Sequence, residues 1–168
     1  MKWIGISGSR LTNERVEDDV RGEVDEILKN GDGIVAGGAM GVDYFASDEV
    51  IKQGLIKERL KICLPLTLDL YSKHYRRRAE EGVVTSESVE ALIKQLENLY
   101  IANPTHLIEN TLNTEANETT YFERNGKIIE LSDELLAFQV NNSTGTQNTI
   151  DHANTKGIPV TVFSYEIQ

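Results

Sequence analysis

Three short stretches of this chain combine glycine, small hydroxyl side chains or arginine in a way that suits an anion. They are Ser7-Gly8-Ser9-Arg10, Gly37-Gly38-Ala39-Met40-Gly41 and Ser143-Thr144-Gly145-Thr146. The middle stretch follows Ile34-Val35-Ala36 and precedes Val42-Asp43-Tyr44-Phe45, so it reads as a buried strand, a turn and the start of a helix. Glycine tolerates positive φ and lets a ligand approach the backbone closely. Free N–H groups and the positive end of the helix dipole converge at such a turn, and that point favours a phosphate. A Cβ at Gly38, as in Gly38→Val, is expected to fill the phosphate's place. The GGxxG spacing is not the GxGxxG of dinucleotide dehydrogenases.

Two charged side chains flank these turns. Arg10 can pair bidentately with a phosphate or sit solvated at the surface. Asp43, in the first turn of its helix, can cap free N–H groups, contact a ribose hydroxyl or support bond cleavage. His106 and His152 have no partners at metal-ligand spacing, and no nucleophile elbow, Walker lysine or zinc pattern is present. The expectation is a site without metal or cofactor.

The elements that must position these residues follow from periodicity. Lys2 to Ser7 reads as a strand, and Thr12 or Asn13 caps a helix to about Lys29 with Val16, Val20, Val24, Ile27 and Leu28 on one face. Strands at 33–36 and 60–64 and a helix to about Gln53 complete β-α-β-α-β, which implies right-handed crossovers and a parallel sheet. Residues 66 to 84 read as a loop with one helical turn. Residues 88 to 102 read as an amphipathic helix, 105 to 117 show no pattern, and 118 to 131 read as a helix bearing Arg124. A strand at 135–140, a helix at 147–156 and a strand at 158–163 follow. The fold class is α/β: a Rossmann-like parallel sheet of about five strands flanked by helices, one domain over residues 1–168, with a helical insertion over roughly 86–117. In such a sheet every strand's carboxyl end lies on one edge, where ligands bind, so the three turns are expected to share one phosphate-bearing ligand.

Composition narrows the partners. The 168 residues carry a net charge of −10, which argues against nucleic acid as a partner. Residues 57 to 78 hold seven basic residues against Glu58 and Asp69, a local +5 that leaves −15 elsewhere. A small basic island in an acidic chain suits a phosphorylated small molecule. His74 and Tyr75 in that island could stack on a base. No apolar run is long enough to span a membrane, and the N-terminal apolar segment is too short for a signal peptide, so a cytoplasmic location is expected. The single cysteine, Cys63, reads as a small buried strand residue.

GISGSR, GGAMGVDYFA and SDELLAFQVNNSTGTQNTIDHA followed by KGIPV together resemble the SLOG superfamily, which spans Lonely Guy phosphoribohydrolases and DprA-type DNA-processing proteins. The likeness covers the front and last thirds of the chain. It implies a Rossmann-like domain holding a nucleotide or nucleotide-derived ligand, as a sensor or signalling module. Arg124 looks like the family arginine of the hydrolases. Their glutamate after Gly-Thr is replaced here by Asn148, so a hydrolase would need Asp43, Glu118 or Glu123 instead. Asp43 and Arg124 are the catalytic candidates of that alternative, and DprA-like single-stranded DNA binding is a second one. The resemblance also allows a homo-oligomer, dimer or tetramer.

Overall fold

The computed structural model describes residues 1–168. Six strands form one wholly parallel sheet: β1 (Trp3–Gly8), β2 (Gly33–Ala36), β3 (Leu60–Cys63), β4 (Leu107–Ile108), β5 (Glu134–Val140) and β6 (Val160–Tyr165), in the order β4-β3-β2-β1-β5-β6. The chain steps outward from β1 to β4, then returns to the other side of β1 to lay down β5. The order therefore reverses between β1 and β5, and the crevice at their carboxyl ends is where such sheets bind ligands.

The helices are α1 (Glu14–Lys29), α2 (Val42–Lys52), α3 (Ile56–Arg59), α4 (Leu68–Glu80), α5 (Ser86–Ala102), α6 (Glu118–Glu130) and α7 (Thr144–Lys156). The Asn13 side chain accepts from the Val16 N–H and starts α1, whose five periodic apolar residues are all buried. Strand alternation sends side chains to two faces. Ile34, Leu60 and Ile62 join α1, α2 and α5 in a core of 25 buried residues, whereas Val35 and Cys63 meet Ile128 of α6 on the other side. Leu135 and Ala137 of β5 pack against Ile150 and Ala153 of α7 on that second face.

Four expectations are corrected. The sheet has six strands, because Leu107–Ile108 pairs with β3 from a stretch too short to show a pattern. Residues 68–80 are a full helix, capped by Thr67; its buried side chains are Tyr71, Ser72 and Tyr75, a polar-looking set that hides a real i, i+4 face. The stretch over 86–117 is one long helix, a 3₁₀ turn at Pro104–His106 and the edge strand β4. Finally, α7 begins at Thr144, so the hydroxyl-rich turn is itself the first helical turn, capped by Ser143. No helix is long and apolar enough to cross a membrane.

Candidate functional site

At the β1–β5 reversal the chain leaves a cavity of 370 Å³. Its walls come from four places. The β1–α1 turn gives Ser7, Gly8, Ser9 and Arg10; the β2–α2 turn gives Ala39 and Asp43; the start of α7 gives Ser143, Thr144, Gly145 and Thr146. The fourth wall is α6, with Asn117, Glu118, Tyr121, Arg124, Asn125 and Ile128 among its contributions.

Gly37 and Gly38 lie behind this surface and Gly41 borders a neighbouring cleft; none of the three lines it. Each is needed for close packing. A Cβ on Gly41, at φ 79°, would stand 2.5 Å from the Ser9 carbonyl. A Cβ on Gly38 would stand 2.6 Å from Leu64 Cδ2 and 3.0 Å from Ile62, inside the core. The expectation that Gly38 faces a phosphate is therefore corrected: its missing side chain makes room for Ile62 of β3 and Leu64 just beyond it. At Gly37 a Cβ would meet the Arg124 guanidinium and the Asp43 carboxylate, so this glycine lets those two groups approach the turn.

Ser9 serves as a bolt. Its hydroxyl accepts from the Val140 N–H at 3.2 Å and donates to the Val140 carbonyl at 3.5 Å, tying the β1 turn to the end of β5. Beyond Val140, Asn141 and Asn142 both take positive φ, 51° and 54°, a conformation asparagine tolerates, and this sharp step launches α7 toward the cavity.

Asp43 is 6% exposed, and its Oδ2 accepts from the Ala39 N–H at 3.2 Å. Burial raises its pKa to about 6, against the opposing pull of the Arg124 charge and the N–H groups of Ala39 and Gly37. Arg124 donates Nη1 to the Gly37 carbonyl and Nε to Asn125 Oδ1, the latter at 3.0 Å. Asn125, itself buried, donates onward to the Gly145 carbonyl at 3.3 Å and to Asn148 Oδ1 at 3.2 Å. The arginine is thus held between the second and third turns. Asn148, at the position of the missing family glutamate, is a partner of Asn125. Arg10 and Arg124 both lie over the Tyr121 ring, with guanidinium carbons 5.8 Å and 5.3 Å from its centre.

Of the α6 wall, only Arg124 and Glu118 are among the residues expected from sequence. Once Arg124 stands on a helix, Tyr121, Asn125 and Ile128 fall on the same side by i, i+4 and i, i+3 spacing, and that was the available signal. Glu123 faces elsewhere and accepts from Asn113. The basic island does not reach the cavity: Arg76 pairs with Glu90 at 2.9 Å, Arg78 with Glu81 and Lys73 with Asp69. Tyr75 is only 2% exposed, so it is unavailable for stacking.

The model of the family of DNA recombination-mediator protein A matches residues 1–168. Among solved structures, DNA processing protein A from Helicobacter pylori, described for its single-stranded DNA binding mode, aligns with a TM-score of 0.70 at 20% identity over 96% of this chain and 64% of its own. DNA processing protein A (DprA) from Streptococcus pneumoniae aligns with a TM-score of 0.55 at 16% identity over 96% of this chain and 58% of its own. The protein TM1055 aligns with a TM-score of 0.56 at 18% identity over 95% and 72%. This chain thus spans less than two thirds of the length of either DNA processing protein. No curated protein matches its sequence. These findings overturn the expectation that nucleic acid is an unsuitable partner. Net charge sums the whole surface, whereas binding depends on the local field, and here two arginines meet at one cavity. The chain belongs to the DNA recombination-mediator protein A family.

Proposed function

We propose that this cavity binds single-stranded DNA through a backbone phosphate. The observation that carries the reading is the pair of guanidinium groups, Arg10 and Arg124, gathered over Tyr121 beside the first turns of α2 and α7. Arg10 makes no ion pair within the chain and is exposed, so it is free to meet a phosphate. Arg124 is anchored to Gly37 and Asn125 and supplies fixed positive charge. The family supports DNA as the source of that phosphate, and the Helicobacter pylori protein of the same fold is described as a single-stranded DNA binder. The recombination-mediator activity of the longer relatives is proposed for this chain only in this DNA-binding part.

A nucleotide or nucleotide-derived ligand is the second reading. It is favoured by the buried polar floor of Asn125 and Thr146 at the first turn of α7, which suits a compact phosphate monoester. Fluorescence anisotropy of a labelled oligothymidylate separates the two. The expected result is binding that weakens with salt, with a log–log slope of about −0.7 per neutralised phosphate, and loses affinity in Arg10→Ala. Competition by thymidine monophosphate as strong as by unlabelled oligonucleotide would move the assignment to the second reading. Absence of oligonucleotide binding at low salt would overturn the first.

A further inference from the structure

Arg10 also borders a second cleft, of 520 Å³, between the β1–α1 turn, the start of α2 and the start of α5. Unlike the phosphate cavity, this cleft is mainly apolar and aromatic: Met40, Tyr44, Phe45 and Ala91 line it, with Glu87 at its rim. Resting on the DNA reading above, we infer that this cleft is a nucleobase subsite, in which the base attached to the bound phosphate stacks on Tyr44.

One face of Phe45 is already taken by the Arg21 guanidinium at 5.6 Å, and Tyr44 meets the Phe45 ring edge-on with centres 6.4 Å apart. That leaves the Tyr44 ring and the Met40 thioether as the open platform. The Gln95 side chain donates to the Tyr44 carbonyl at 3.1 Å and fixes this turn of α2 against α5. Arg10 stands on the wall between the two spaces, so one residue can hold the phosphate while its stem flanks the base. Stacking on an aromatic platform beside a cationic contact is a general way of holding single strands. Glu87 adds a chemical preference. It forms no ion pair within the chain, and a carboxylate accepts from the exocyclic amine of cytosine, a donor thymine lacks, its one N3–H being flanked by two carbonyls. The subsite therefore favours amine-bearing bases.

The test uses the full chain with an oligonucleotide carrying 2-aminopurine, whose emission falls on stacking, and with labelled oligo(dC) and oligo(dT). Expected are quenching on binding, loss of that quenching with about tenfold weaker binding in Tyr44→Leu, and an oligo(dC) preference that disappears in Glu87→Gln. Glu87 is exposed, so Glu87→Gln tests the cleft without disturbing the core. Binding that depends on Arg10 but leaves 2-aminopurine emission unchanged, with Tyr44→Leu and Glu87→Gln indistinguishable from the parent, overturns the base subsite and leaves the phosphate reading standing. No binding of any oligonucleotide overturns both.

Discussion

Asp43 reaches back across the glycine turn that its own helix follows and accepts the Ala39 N–H at 3.2 Å. The carboxylate is nearly sealed from solvent, and burial outweighs Arg124 and the neighbouring N–H groups, so its pKa rises from 3.8 to about 6. The native state therefore holds this proton more tightly than the unfolded chain. Its contribution to stability grows as pH falls from 6 toward 4, and at neutral pH the ionised form costs on the order of 3 kcal/mol. Asp43→Asn keeps an acceptor for Ala39 and removes that cost. Thermal melts should show the variant more stable at neutral pH, with the difference shrinking toward pH 4. A variant that melts below the parent at neutral pH would contradict this account.

If the cavity binds DNA phosphate as proposed, the same group should set the pH dependence of that binding. An ionised carboxylate in the cavity opposes a phosphate, so oligothymidylate should bind more tightly as pH falls through about 6. Thymine does not titrate there. Anisotropy titrations on either side of that value should show the change in the parent and little in Asp43→Asn.

Tyr71 of α4 donates its buried hydroxyl to the Gly38 carbonyl at 3.1 Å. Tyr71→Phe leaves that carbonyl without its partner and should cost about 1–3 kcal/mol. For a chain of this length the melting temperature should drop by roughly 2–4 °C per kcal/mol.

Two glycines of the site predict opposite signs. Gly41→Ala places a Cβ 2.5 Å from the Ser9 carbonyl at a φ of 79°, so both backbone strain and a clash destabilise it. Gly145 lies in the first turn of α7, and a Cβ there would have nothing within 4 Å. Gly145→Ala should stabilise by about 0.5–1 kcal/mol through reduced freedom of the unfolded chain. Urea denaturation of the two variants side by side checks both signs.

Lys156, in the last turn of α7, donates to the carbonyls of Ile129, Glu130 and Ser132 at 2.9–3.1 Å. It closes the carboxyl end of α6, the helix that carries Arg124 and Tyr121. Lys156→Met should lower stability by about 1–3 kcal/mol, and hydrogen exchange should accelerate first in the last turn of α6.

The parallel sheet, α1 and the first two turns were legible because apolar periodicity and caps agreed there. Asn13 and the valine ladder of α1 are one instance. α4 was illegible because its inner face is built from Tyr71, Ser72 and Tyr75, which a hydropathy pattern reads as polar. β4 pairs through only two residues, too few for any period to register. Within the site, Gly38 was misplaced because sequence shows that a glycine is required but not which neighbour requires it; here the neighbours are Leu64 and Ile62. The α6 wall was mostly missed because only Arg124 drew attention to that helix; its i, i+3 and i, i+4 neighbours Tyr121, Asn125 and Ile128 follow once α6 is placed against the cavity.

The bolt between Ser9 and Val140 joins positions 131 residues apart. The cavity therefore does not exist until β5 and the start of α7 have docked beside β1. A molecule that settles there binds only the assembled sheet, and its binding energy opposes global unfolding rather than the loosening of one loop. Occupancy of this crevice would favour folded copies over unfolded ones, and would slow degradation of the former in proportion to ligand concentration.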